Sequence, residues 1–185
     1  MTSIGNPERA TQQRVIALFH QELGYRYLGD WSDRQNNSNI DEPMLTAWLG
    51  NSGYTRAQIS RAIYLLKTEA DNANRGLYEN NRKVYSLLRY GVPVRIEAGK
   101  VTESVQLINW AQPEKNDFAI AEEVTLRGGH ERRPDLVLYI NGIAIGVIEL
   151  KNSRASIGDG IRQNLSNQQP ATESFFIHGN KVGKP

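Results

Sequence analysis

Within RRPDLVLYINGIAIGVIELKN (residues 132–152), Asp135 opens the first of two apolar runs, and Glu149 and Lys151 close the second. Two carboxylates and the backbone carbonyl of Leu150 make a set of hard oxygen donors. Such a set suits Mg²⁺, which keeps several waters and favours phosphate as a co-ligand. A metal held there lowers the pKa of a bound water and neutralises charge on a phosphodiester oxygen. Lys151 beside it is placed to orient or deprotonate the attacking water and to stabilise a pentacovalent phosphate. The plainer alternative is a solvated strand-end salt bridge from Lys151 to Glu149 or Asp135, worth little energetically. Spacing alone leaves both open.

The metal reading makes a demand on the turn. Side chains alternate along a strand, so Glu149 and Lys151 share a face and Leu150 takes the other. A two-residue Asn141-Gly142 turn with unbroken pairing sets Ile140 against Ile143 and Asp135 against Ile148. Asp135 and Glu149 then lie on opposite faces, because a one-residue step flips sides. Convergence needs one extra residue. It would come from a three-residue loop with Gly142 left-handed and a bulge, or from a bulge near Pro134 or Gly146.

The elements that must hold this hairpin are legible in outline. Residues 8–23 place Val15, Ile16, Leu18, Phe19 and Leu23 on one helical stripe, which Gly24 stops. Residues 29–43 read as a polar loop. Helices are expected over 42–49, over 55–73 with Thr55 as N-cap, and over about 77–88. The pattern then turns strand-like in VPVRIEA, VTESVQLINW, DFAIAEEVTLR, PDLVLYI and IAIGVIELK. SIGDGIRQNLSNQ reads as a weaker helix and FFIH as one more short strand. This is an α/β (α+β) arrangement, with a mixed sheet flanked by helices. One domain over 1–185 is expected, with a helical elaboration at about 26–76 and the core sheet and site at about 92–178.

Composition narrows the chemistry. The 185 residues contain no Cys and three His, which removes disulfides, thiolate sites and cysteine nucleophiles and disfavours a zinc cluster. The formal net charge of +2 does not by itself argue for nucleic acid. Neither a signal peptide nor an apolar run of membrane-spanning length is seen, so a cytoplasmic location without membrane contact is expected. Arg132 and Arg133 are candidates for phosphate contact or a solvated approach to the strand. Glu122 and Glu123 are expected as surface charges, Trp48 and Trp110 as core, Tyr25 and Tyr27 as packing residues, and His130 as a loop residue. Tyr85, Leu87 and Leu88 are expected on a buried helix face.

Pro134-Asp135 followed by Glu149-Leu150-Lys151 resembles the PD-(D/E)xK nuclease core. ERATQQRVIALFHQELGYRYLG, LYENNRKVYSLLRYGVPV, NWAQPEKNDFAIAEEVT, the hairpin itself and GIRQNLSNQ together resemble the N-terminal endonuclease domain of the R subunit of type I restriction enzymes. The resemblance runs over about residues 8–176. It implies the restriction-endonuclease-like core fold and a Mg²⁺-dependent deoxyribonuclease (Mn²⁺ substituting) that cuts double-stranded DNA in defence against foreign DNA. It also implies a continuation into a helicase-like, ATP-driven motor and assembly with modification (M) and specificity (S) subunits in a prokaryotic cytoplasm. By motif match, Asp135 and Glu149 would be metal ligands and Lys151 the catalytic lysine. Gln163 matches the Gln of a Gln-x-x-x-Tyr motif, whereas Asn167 stands at its Tyr position; both are candidate DNA contacts. Glu8, with Glu22 second, is the candidate acid from the first core helix. No Gly-x-x-x-x-Gly-Lys-Ser/Thr occurs, so ATP would belong only to the motor domains. Two other readings remain: a non-catalytic DNA-binding or assembly module that keeps the fold, and a stand-alone repair nuclease of the same superfamily.

Overall fold

The computed structural model describes residues 6–96, 101–126 and 133–150. The first apolar stripe forms helix α1 (Asn6–Ala17), which widens into a π-helical turn at Leu18–Glu22. Gly24, at φ +72°, ends it as expected.

The chain then enters the main sheet earlier than the sequence suggests. Arg26–Asp30, expected within the helical elaboration, is strand β1. It pairs in parallel with β4 (Phe118–Glu122), from Arg26 opposite Ala119 to Asp30 opposite Glu122, with one irregularity between Tyr27 and Asp30. RYLGD hid this role because it is a short, largely exposed edge strand with an internal left-handed Gly29. Its partner is remote in sequence, so no local pattern announces it.

Helix α2 (Glu42–Asn51) starts where the Asp41 carboxylate accepts the Met44 N–H. Helix α3 (Arg56–Ala70) starts on a full capping box, Thr55 and Gln58 each bonding the other's backbone. Helix α4 (Leu77–Tyr90) follows and stops at Gly91. Strands β2 (Val92–Val94) and β3 (Glu103–Val105) then pair as a small antiparallel sheet of their own. With Ile143, the helices and this small sheet close one core, around Leu45, Leu49, Ile63, Leu66, Val92 and Val105.

The main sheet has the order β1-β4-β5-β6, with β5 at Leu136–Ile140 and β6 at Ile143–Ile148. β4, β5 and β6 are antiparallel neighbours, so the sheet is mixed and the fold is α/β. One face carries Ala119, Ala121, Val137, Tyr139 and Ala144 beneath Trp31, which sits in the polar loop. The other carries Ile120, Leu136, Leu138 and Ile148 under Val15, Ile16 and Phe19 of the first helical segment. Both faces of the strands that bear the candidate acids are therefore packed. The expected helix at 156–168 and strand at 175–178 lie outside the described residues.

Candidate functional site

Asn141 (φ +54°) and Gly142 (φ +86°) are both left-handed and join Ile140 directly to Ile143, the signature of a two-residue type I′ turn. The turn is clamped. The Asn141 side chain is fully buried, accepts the Asp117 N–H at 2.7 Å, and donates to Leu107 O and Asn116 Oδ1 at 2.9 Å each. A Cβ on Gly142 would lie 2.8 Å from Asp41 O and Leu45 N, so the start of α2 can approach only a glycine.

Two steps along the hairpin the pairing breaks. Tyr139 faces Ala144, but Leu138 faces Gly146, and Ile145 is left over as a one-residue bulge. Regular pairing then resumes through Val137–Val147 to Leu136–Ile148. Carried on by one position, this register sets Asp135 opposite Glu149. Directly opposed residues on one face of an antiparallel pair have Cβ atoms about 4.5–5.5 Å apart. The Leu150 N–H donates to Asp135 Oδ2 at 2.5 Å, which ties the two chain ends together. Leu136, Ile148 and Leu150 pack with Ile16 and Ile120. Alternation then turns Asp135 and Glu149 to the other face, both half-buried. The extra residue required for convergence is present, near Gly146.

This end of the sheet gathers further carboxylates: Asp30 ends β1, Glu122 ends β4, and Glu123 follows it. Glu122 corrects the expectation of a surface charge, being 2% exposed. Its Oε2 accepts from Arg9 Nη1 at 2.7 Å, and its Oε1 from the Tyr27 hydroxyl. Burying a carboxylate is costly unless partners like these replace its lost hydration. Both lie about a hundred positions away in the chain, so only the charge inside an apolar strand hinted at them. Burial, then the bond to Glu122, pushes the Tyr27 phenol up to about 12. The backbone N–H of Ser32 holds the Asp30 carboxyl below its usual range. Glu123 sits at φ +52°, and its carboxylate meets Gln12 Nε2 at 3.1 Å and Arg133 Nε at 3.0 Å.

Arg133, a candidate for phosphate contact, is thus an exposed partner of Glu123. Glu8 lies half-buried in the first turn of α1, while Glu22 is exposed in the π-helical turn. Lys151, Gln163, Asn167, Arg132 and His130 lie outside the described residues. Two aromatic expectations are corrected. Trp110 is 46% exposed and Tyr85 61% exposed, whereas the loop residue Trp31 is the buried tryptophan. The indole N–H groups of Trp48 and Trp110 are spent on Lys115 O and Leu88 O, which holds both rings at the surface margin of the core. Tyr25 does pack, edge-on to Phe19 and tilted against Phe118.

Among the described residues no three His, Cys, Asp or Glu side chains form a ready-made metal cage. The pair Asp135 and Glu149 at a strand end, with main-chain oxygen nearby, instead fits Mg²⁺, which is held by one or two carboxylates plus water and phosphate. It does not fit a softer ion that needs thiolate or several imidazoles.

A mixed sheet with helices on it and acids grouped at one strand end is the architecture of a nuclease-like α+β domain. The chain matches the family described as "Type I restriction enzyme R protein N terminus" over residues 6–181, and it belongs to that family. Over 95% of its length it is 30% identical to the "Putative type I restriction enzyme MjaIXP endonuclease subunit" of Methanocaldococcus jannaschii, of which it covers 16%. The "Putative type I restriction enzyme MjaVIIIP endonuclease subunit" of the same organism is 33% identical over 37% of the chain, 7% of that relative. The chain therefore spans about a sixth of the longer-matching relative. Among the described residues no helix is long and apolar enough to cross a membrane.

Proposed function

We propose that this chain is the PD-(D/E)xK endonuclease module of a type I restriction enzyme R subunit, hydrolysing phosphodiester bonds of double-stranded DNA with Mg²⁺. The observation that carries the reading is the bulge at Ile145, which turns an otherwise incompatible register into one that opposes Asp135 and Glu149. Asp135, Glu149 and the carbonyl of Leu150 would hold the ion. When bound, Mg²⁺ supplies a more acidic water and charge neutralisation at the scissile phosphate. The chain's own groups do the remainder. Leu150 N–H orients the Asp135 carboxylate, leaving its other oxygen to bind. Lys151 positions the attacking water and stabilises charge on the phosphate, and Gln163 with Arg133 contacts the DNA backbone. ATP-driven translocation and target recognition belong to the motor domains and to the modification and specificity subunits.

Calorimetric titration with Mg²⁺ or Mn²⁺ tests the site. Asp135→Ala is expected to lose binding that the wild-type chain has; equal binding by both would sink the assignment. In the assembled complex, Lys151→Ala should abolish DNA cleavage and leave ATP-driven translocation intact, whereas retained cleavage would reject the role given to Lys151.

A further inference from the structure

Asp135 must be held before it can hold anything. Pro134 ahead of it has no N–H to contribute to a strand ladder, so the start of β5 is anchored from Asp135 onward. The Asp135 carbonyl accepts two hydrogen bonds, from Glu123 N at 3.0 Å and from Gln12 Nε2 at 3.2 Å. The Gln12 amide is 4% exposed and also donates to Glu123 Oε1 at 3.1 Å. Its own Oε1 accepts from Arg9 Nη1 at 3.0 Å, and the same Nη1 holds the buried Glu122. One uncharged side chain from α1 thus joins the ends of β4 and β5 and is itself oriented by an arginine.

We infer that Gln12 is the positioning residue of the site, a clamp that fixes the peptide of Asp135, and so the direction of its carboxylate, while holding the neighbouring Glu123 carboxylate through its other bond. This rests on the metal reading above and extends it to a residue of the first helix other than Glu8. A neutral amide suits the task. Each of its N–H groups satisfies an oxygen, and it adds no charge to an end of the sheet already rich in carboxylates. A carboxylate in its place would face Glu123 and the Asp135 carbonyl with no proton to give.

The test titrates Mn²⁺ into the 185-residue chain and its Gln12→Leu, Gln12→Glu, Leu66→Ala and Asp135→Ala variants. Partners of a metal ligand typically cost 10–100-fold in metal affinity when removed. Both Gln12 variants are therefore expected to bind roughly tenfold or more weakly. Leu66→Ala, which empties a fully buried position of α3 in the separate core closed by the small sheet, should lose thermal stability and keep wild-type affinity. Amide hydrogen exchange at Leu150, whose N–H bonds the Asp135 carboxylate, should speed up in the Gln12 variants without any metal present; this decides the matter if Gln12→Leu binds too weakly to measure. Gln12 variants that bind like wild type, or a Leu66→Ala that weakens binding as much, would overturn the clamp. If Asp135→Ala itself binds like wild type, the metal reading falls and the clamp with it; loss in Asp135→Ala alone removes only the clamp.

Discussion

If the bulge serves to set register, then removing residues from β6 one at a time should have opposite consequences. Deleting Ile145 leaves Ala144 opposite Tyr139 and Gly146 opposite Leu138, so the ladder closes and Asp135 still meets Glu149. Ile145 is 39% exposed. Its loss should cost about 1–2 kcal/mol of apolar burial, offset in part by about 1 kcal/mol of restored ladder bonding. Deleting Ile145 and Gly146 together shifts the strand by one. Glu149 would then oppose Leu136, on the face packed against Ile16 and Ile120, and Ile148 would leave that cluster. Losing Ile148 from the cluster costs about 1.5–3 kcal/mol, and forcing a carboxylate into it costs several more. The sum, about 5 kcal/mol or above, reaches the lower end of a domain's total stability, about 5–15 kcal/mol. Urea unfolding and Mn²⁺ calorimetry on both variants read this directly. The single deletion should stay folded and bind metal; the double deletion should unfold or lose the metal. A stably folded single deletion that binds no better than Asp135→Ala would refute the register argument, as would a double deletion that binds normally.

Asn141→Ala removes three side-chain hydrogen bonds, leaves Asp117 N–H and Leu107 O without that partner, and puts alanine at φ +54°. A loss of about 3–5 kcal/mol is expected from urea unfolding, and less than about 1 kcal/mol would show that the Asn141 side chain does not anchor the turn. Tyr27 has its phenol raised to about 12, so the fold favours its neutral form. The stability it contributes is complete below about pH 10, the unfolded value, and is lost as pH climbs toward 12. Tyr27→Phe should therefore flatten the fall in melting temperature across that window, and an unchanged slope would count against the Tyr27–Glu122 bond.

Much of the scaffold was legible because its signals are local. The Thr55 N-cap, the stop at Gly24 and the Asn-Gly turn each act within a few residues. β1 was not legible, because RYLGD becomes a strand only through parallel pairing with β4. The burial of Glu122 was missed for the same reason: what makes it tolerable is Arg9 and Tyr27, brought from the first helix and the first strand. Trp31 looked like loop and Trp110 like core. Periodicity cannot say that the polar loop folds back onto Tyr139, which Trp31 meets at a tilt, 5.5 Å between ring centroids.

For the candidate site, the sequence alone determined the inventory of two acids and a lysine bracketing an Asn-Gly hairpin, together with the requirement for one residue too many between them. Where that residue goes was a tertiary decision. Ile143 and Gly142 lock the turn against the start of α2, the buried Asn141 ties it to Leu107 and Asn116, and Leu136, Ile148 and Leu150 lock the far end under α1. The strand between two fixed ends holds one residue more than its partner, and the residue it expels, Ile145, is the exposed one of β6.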